Sequence, residues 1–250
     1  NITTFDTAQG YGDSEQRLGL FLRKELNIVT KIGSEIIIKK GYNNLRHIFT
    51  ASLSRLKCKR LYALLLHNPD DLLGRNGSEI VRDLKSLKEE GSVEKIGVSI
   101  YEPEKLEEIL KVFDIDIVQL PFNIFNREAY LTGWAEKLKS KNVEIHVRSV
   151  FLQGVLLSQR CDLPNWFSNN WSALFDQWFN FQSRVGAEAD EVALGFVLQQ
   201  PWIDKVIVGV DTASQLVRLV EIENNIKQNY RPKFYSRDPL LIYPSNWKNK

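Results

Sequence analysis

Short apolar runs alternate along the chain with longer segments whose apolar residues recur at helical spacing. The first run is Ile2-Thr3-Thr4-Phe5-Asp6-Thr7, and the helix after it opens at Ser14-Glu15 with Leu18, Phe21 and Leu22 as its apolar stripe. Asn27 to Lys31 reads as the second strand, followed by a helix that presents Leu45, Ile48, Phe49, Leu53 and Leu56. Leu61 to His67 is apolar almost throughout, as strands buried on both faces are. Its helix carries Ile80, Val81, Leu84 and Leu87, and Gly91 stands where a C-terminal cap is expected. Ile96 to Ser99 is the next strand, and Pro103 opens a helix bearing Leu106, Ile109, Leu110 and Phe113. Ile117 to Leu120, Val143 to Ser149 and Val206 to Gly209 complete the strands. Helices around Trp134 to Leu138, Val192 to Leu198 and Leu216 to Ile222 alternate with them.

Seven strand–helix units in strict alternation predict a parallel α/β sheet, because each parallel connection needs a crossover. A (β/α)8 TIM barrel is preferred to an open doubly wound sheet, since polar residues stand at the ends of several successive strands. Barrels gather chemistry from many strand ends, whereas open sheets concentrate it at one switch point. An eight-fold barrel would be one unit short here, and the eighth is expected ahead of Asn1. Residues 1–250 are read as a single domain of this kind. Two stretches depart from the rhythm. Residues 151–187 form a long insertion holding Trp166, Phe167, Trp171, Phe175, Trp178 and Phe179, with an inserted helix predicted over Trp171 to Ser183. It is expected either to line a substrate site or to pack on the barrel. Residues 231–250 form a tail.

Composition narrows the function more than it defines it. A formal charge of +2 points to neither nucleic acid nor an anionic membrane surface. Cys58 and Cys161 make no disulfide framework, and no cysteine–histidine cluster suggests a metal. No apolar run approaches the ~20 residues that span a bilayer, and no signal peptide is visible, so cytoplasmic residence is expected.

The chemistry sits at the strand ends. Asp6 closes the first strand, Tyr11 follows on the turn Gly10-Tyr11-Gly12, Lys31 ends the second strand and His67 the third. Together they read as a device for protonating an oxyanion. A phenol with a pKa near ~10 is a weak acid but a good proton donor to an alkoxide. A neighbouring ammonium stabilises the phenolate, a carboxylate holds that ammonium, and an imidazole orients the substrate oxygen. A Schiff-base role for Lys31 would need a desolvated, neutral amine, which Asp6 opposes. Glycoside hydrolysis would need two carboxylates across one cleft, and only Asp6 presents itself.

On these residues the chain resembles the aldo-keto reductase superfamily. The matching stretches are Phe5 to Glu15, Thr30-Lys31, Leu66-His67-Asn68-Pro69, Ile96 to Ser99, Val118-Gln119, Ser149 to Gly154, and Val208-Gly209 with Gln215-Leu216. The resemblance implies an NAD(P)-dependent oxidoreductase that reduces an aldehyde or ketone, a small-molecule carbonyl, with Asp6, Tyr11, Lys31 and His67 as catalytic tetrad. It implies NADP(H) or NAD(H) as cofactor, with Ser99 and Gln119 on the nicotinamide carboxamide and Arg148 against the nicotinamide face. Ser149, Leu152 and Gly154 would follow the pyrophosphate, and Gly209, Thr212 and Gln215 the adenosine end. Some members of the superfamily bind the cofactor with little turnover, and that is the alternative role.

Three positions depart from the family's pattern. Ile100 stands where Asn is common. Asp211 stands where NADP-preferring members often carry a base, and its carboxylate would repel a 2′-phosphate, although Arg218 is near enough in sequence to offer a charge. Arg218-Leu219 replaces the usual Glu-Asn. The tail from Asp238 to Trp247 resembles that of members encoded with bacterial surface-sugar genes, which suggests a sugar-derived substrate, and Trp247 is a candidate to cover it.

Overall fold

A computed structural model describes residues 2–21, 26–33, 45–226 and 228–247. Through them run β1 (Thr4–Asp6), α1 (Ser14–Phe21), β2 (Asn27–Ile32), α2 (Leu45–Leu56), β3 (Leu61–Leu66), α3 (Gly77–Glu89), β4 (Val93–Ser99), α4 (Leu106–Val112) and β5 (Ile117–Pro121). Then come α5 (Glu128–Leu131), α6 (Trp134–Ser140), β6 (Glu144–Arg148), α7 (Asn165–Val185), α8 (Ala189–Leu198), β7 (Lys205–Val206), α9 (Ala213–Asn224) and α10 (Pro239–Ile242). The strand–helix alternation is the one the hydrophobic pattern predicts. The chain divides into two compact units, Asn1–Gln119 with Ser140–Glu144, and Leu120–Lys139 with Ile145–Lys250.

In the first unit β1 to β5 pair in chain order, and every pair is parallel. The register decides which side chains share a face, because paired residues of a parallel ladder point the same way and alternate residues share a side. Asp6 pairs with Val29, Lys31 with Leu65, Leu65 with Gly97, Gly97 with Ile117, and Ser99 with Gln119. One face therefore carries Val29, Ala63, Leu65 and Ile117, which pack as a buried apolar cluster. The same face carries Asp6 level with Val29 and Lys31 level with Leu65, and one step beyond Gly97 and Ile117 it carries Ser99 and Gln119. Sequence periodicity places polar residues at strand ends; the register stacks them on an apolar floor.

At the N-terminal ends of the strands, Lys95 bonds the Glu144 carboxylate, and the Tyr62 hydroxyl donates to the same oxygen at 2.6 Å. Burial and then the Glu144 carboxylate push the Tyr62 phenol above its ordinary value.

The first helix differs from the pattern that predicted it. Its buried residues are Glu15 and Gly19, whereas Phe21 is 77% exposed and Leu18 half-buried. Leu22 lies outside the described residues. The inward face is polar because α1 lies so close to α2 that a Cβ on Gly19 would come within 2.3 Å of the Arg55 carbonyl oxygen. A large apolar side chain has no room at that crossing.

In the second unit β6 and β7 pair in parallel, His146 with Lys205 and Val147 with Val206. The predicted strand over Val206 to Gly209 is shortened to Lys205–Val206, with one more backbone bond from Ile207 N–H to the Val147 carbonyl at 2.7 Å. β-branched residues favour a strand, but a strand extends only as far as a neighbour offers backbone partners. Helix α8 is nearly all buried, whereas α9 buries only Ile222. The inserted helix is longer than predicted. It starts at Asn165, after Pro164, and is kinked at Trp171 (φ −134°, ψ 31°), whose indole N–H donates to the Asp238 carboxylate at 2.9 Å. Its first turns, rich in Asn and Ser, lack the apolar period that marks a helix. Helix α5, only four residues long, is also absent from the sequence pattern. No described helix is long and apolar enough to cross a membrane.

Candidate active site

Asp6 is the last residue of β1, and Lys31 stands one residue before the end of β2. The Lys31 ammonium, 1% exposed, bonds one oxygen of Asp6 and donates to the Thr7 carbonyl at 3.1 Å. The other Asp6 oxygen accepts from the Gln119 side-chain amide at 2.8 Å. A buried ammonium keeps its proton only when a partner offsets the lost hydration, and here a carboxylate and a carbonyl do so.

Tyr11 is brought over this pair by a tight loop. Gln9 N–H donates to the Lys31 carbonyl, Tyr11 N–H to the Ala8 carbonyl, and Ser14 N–H to the Tyr11 carbonyl, each at 3.1 Å. The Thr7 and Ser14 hydroxyls meet at 2.8 Å across its base. Lys31 Nζ lies 5.3 Å from the centroid of the Tyr11 ring, within cation–π range. His67, whose N–H donates to the Ile32 carbonyl just beyond β3, sets its ring 5.9 Å from the Tyr11 ring, edge to face. The four side chains therefore meet in one cluster of the first unit. The ion pair lies deep, while Tyr11, 49% exposed, and His67 lie outward, where a substrate would arrive. A separate hollow of about 360 Å³, lined by Phe5, Asp6, Asp13, Ser14, Arg17, Leu18 and Phe21, touches Asp6 but neither Tyr11 nor His67.

Ser99, at the end of β4, and Gln119, opposite it in β5, are both buried, and buried polar groups are kept only where something bonds them. Ile100, in place of the family's Asn, is fully buried, and its N–H donates to the Gln119 carbonyl at 2.8 Å.

In the second unit, Arg148 ends β6 and donates to the Ser149 hydroxyl at 3.3 Å. The loop that follows holds Ser149, Leu152, Gln153 and Gly154 at φ between 47° and 87°, with Leu152 fully buried. Left-handed backbone at residues other than glycine is costly and persists only where its surroundings enforce it. At Ser149 the buried Asn123 contributes to this. Its amide donates to the Ser149 carbonyl at 2.9 Å, while its carbonyl accepts from Phe125 N–H and Asn126 N–H at 2.9 and 2.8 Å. Asn123 is not marked by the sequence pattern beyond being an amide two residues after a strand.

Thr212 and Gln215 form a reciprocal capping box at the start of α9, and the Gln215 carbonyl also accepts from Asp211 N–H at 2.7 Å. Gly209 is exposed three residues before that cap. Arg218 is engaged locally, donating to Asp190 at 2.9 and 3.1 Å. The insertion and the tail pack on each other: Trp247 lies 4.9 Å from Phe167 and 6.2 Å from Trp166, and its indole donates to the Leu241 carbonyl at 3.1 Å.

With this geometry in view, the model of the aldo/keto reductase family matches residues 1–229. The chain belongs to the aldo/keto reductase family. It is 24% identical over 181 residues to "Uncharacterized oxidoreductase YqkF" of Bacillus subtilis (strain 168), covering 69% of this chain and 58% of that protein. It is 29% identical over 163 residues to "Glyoxal reductase" of the same strain, covering 62% of this chain and 55% of that one. The chain thus spans little more than half the length of these two relatives. Among solved structures, the holo form of aldo-keto reductase AKR11C1 from Bacillus halodurans superposes with a TM-score of 0.73. That likeness covers 95% of this chain and 85% of that one at 21% identity, and shows the fold. The fold is the α/β barrel of the aldo/keto reductases, with seven strands among the described residues.

Proposed function

We propose that this aldo/keto reductase reduces the carbonyl of an aldehyde or ketone to an alcohol at the expense of NADPH or NADH, with Tyr11 as proton donor. The observation that carries this reading is the position of the Lys31 ammonium 5.3 Å from the Tyr11 ring with the His67 ring beside it. When bound, the nicotinamide supplies a hydride, two electrons, to the carbonyl carbon. The protein's task is then to give the oxygen a proton and to tolerate the charge that grows on it.

Tyr11 gives up its hydroxyl proton to that oxygen and is left as phenolate, which the ammonium of Lys31 stabilises. Asp6 keeps the ammonium charged and in place, and Gln119 keeps the Asp6 carboxylate oriented. His67 donates a hydrogen bond to the substrate oxygen, holding it towards the phenol. Ser99 and Gln119 fit a nicotinamide carboxamide in chemistry, being buried polar groups paired across adjacent strands. In the second unit, Arg148 is proposed for the nicotinamide face and the Ser149–Leu152–Gly154 loop for the pyrophosphate. Gly209, Thr212 and Gln215 are proposed for the adenosine end. With Arg218 on Asp190 and Asp211 nearby, no unopposed cation stands among the residues named there for a 2′-phosphate.

The test is a fluorescence titration with NADPH and with NADH, on wild type and Tyr11→Phe, paired with turnover on a panel of aldehydes that includes glyoxal and aldoses. Wild type is expected to bind and oxidise the cofactor. Tyr11→Phe should keep the dissociation constant within about twofold while turnover falls by roughly 10²–10⁴. Equal turnover by both proteins would remove Tyr11 from the chemistry. Binding without any oxidation by wild type would leave a cofactor-binding protein rather than a reductase.

A further inference from the structure

We propose that Glu15, a residue with no part in the chemistry above, is the positioning residue that sets Tyr11 and Lys31 in their working places; this rests on the reductase reading. Glu15 is 2% exposed, the second residue of α1 and four residues after Tyr11. Its carboxylate collects donors from two other elements. The Thr30 hydroxyl donates to one oxygen at 2.7 Å, while Arg55 Nε at 2.7 Å and the Ser52 hydroxyl at 3.3 Å donate to the other. The Ser52 hydroxyl in turn accepts from the Gln9 side-chain amide, which also donates to the Ile48 carbonyl at 3.0 Å.

These partners flank the reacting groups. Gln9 stands two residues before Tyr11, Glu15 four after it, and Thr30 directly before Lys31. Strand alternation sends the Thr30 side chain to the opposite face of β2 from Lys31. A carboxylate on the helix side of the sheet thus grips the segment whose other face presents the ammonium. Through Ser52 and Gln9 it holds the leading side of the Tyr11 loop, and through its own backbone the trailing side.

A buried carboxylate needs several donors wherever it sits; what marks this one is what its donors adjoin. The burial pattern adds a second argument. The buried residues of α1 are Glu15 and Gly19, so this helix has little apolar surface to fix its seat, and the polar hub takes that role. Without the charge, α1 and the loop before it are free to shift by a fraction of the distance that separates phenol from ammonium. A misplacement of ~1 Å in such a site lowers rates by about 10²-fold.

The experiment compares wild type, Glu15→Gln, Glu15→Asp and Tyr11→Phe, with kcat expressed per cofactor-binding site well below the melting temperature. Glu15→Gln keeps the shape and removes the charge. It should lower kcat about 10- to 100-fold, with cofactor affinity and the KM for aldehyde each within about twofold. Glu15→Asp, which restores the charge on a shorter arm, should recover part of that loss. If Glu15→Gln melts earlier but retains wild-type kcat per site, its role is structural alone and the proposal falls. Should Glu15→Gln fail to fold, Thr30→Val and Ser52→Ala each remove one donor. A several-fold loss of kcat at unchanged cofactor affinity is then expected, and wild-type kcat in both overturns the idea. Failure of the underlying reading looks different: wild type would not turn over, or Tyr11→Phe would match it, and the positioning role would go with it.

Discussion

A Cβ added at Gly97 would lie 1.8 Å from the carbonyl oxygen of Ile117, its partner on the neighbouring strand and a member of the buried apolar cluster. Backbone cannot give way there without pulling β4 and β5 apart, and Ser99 and Gln119 ride on those two strands. Gly97→Ala is therefore expected to cost about 1–3 kcal/mol, typical of overpacking. A lower urea midpoint at an unchanged denaturant slope would show this, and an unchanged midpoint would mean that the ladder relaxes freely. At the same scale, the four residues proposed for the chemistry were legible in the sequence because Asp6, Lys31 and His67 each stand at or within one residue of a strand end and Tyr11 sits on a glycine-flanked turn. Glu15 was legible only as a helix start and as the last residue of the Phe5 to Glu15 stretch. The sequence shows that a carboxylate is present, but the three donors that make it a hub come from residues 30, 52 and 55.

Elements are held together by polar pins as well as by apolar faces. The Arg127 guanidinium gives its donors to the carbonyls of Ile124, Pro232 and Phe234 at 3.0, 3.0 and 2.8 Å, and so ties the segment after β5 to the tail. Burial holds its pKa down at about 10. Tyr230 pins the tail to α8, its hydroxyl donating to Glu191 at 2.7 Å. Burial, and next the bond to the Glu191 carboxylate, push this phenol up to about 12. Because the folded value lies above the ordinary one near ~10, the contribution of this phenol to stability is complete below that pH. It is lost as the pH rises through 10 towards 12. Tyr230→Phe should lower stability by about 0.5–1.5 kcal/mol at neutral pH and flatten the alkaline limb of the stability curve. A mutant whose alkaline limb matches wild type would refute the link. Element types were readable from periodicity, since 3.6- and 2-residue periods differ plainly. Element ends were not: β7 closes at Val206, although β-branched residues continue beyond it.

At the scale of the whole molecule, stability and cofactor binding are linked. A ligand that binds only the folded chain, present at 100 times its dissociation constant, adds about 2.7 kcal/mol. For a chain of this size that corresponds to a rise of roughly 5–10 °C in melting temperature. NADPH or NADH is expected to produce such a rise and nicotinamide alone at the same concentration is not; no shift with either dinucleotide would count against cofactor binding.

The order of strands and helices, the α/β class and the polar residues at or beside the ends of β1, β2 and β3 were settled by the amino-acid sequence alone. Local periodicity and a few strand-end residues encode them, and neither needs distant partners to be visible. The tertiary structure decided the rest: which side chains share a face, how α1 is seated, and what bonds Arg218, Asn123 and Glu15. Those outcomes depend on register and on donors far apart in the chain, and a buried charge or amide finds its partners only once the backbone has brought them within reach.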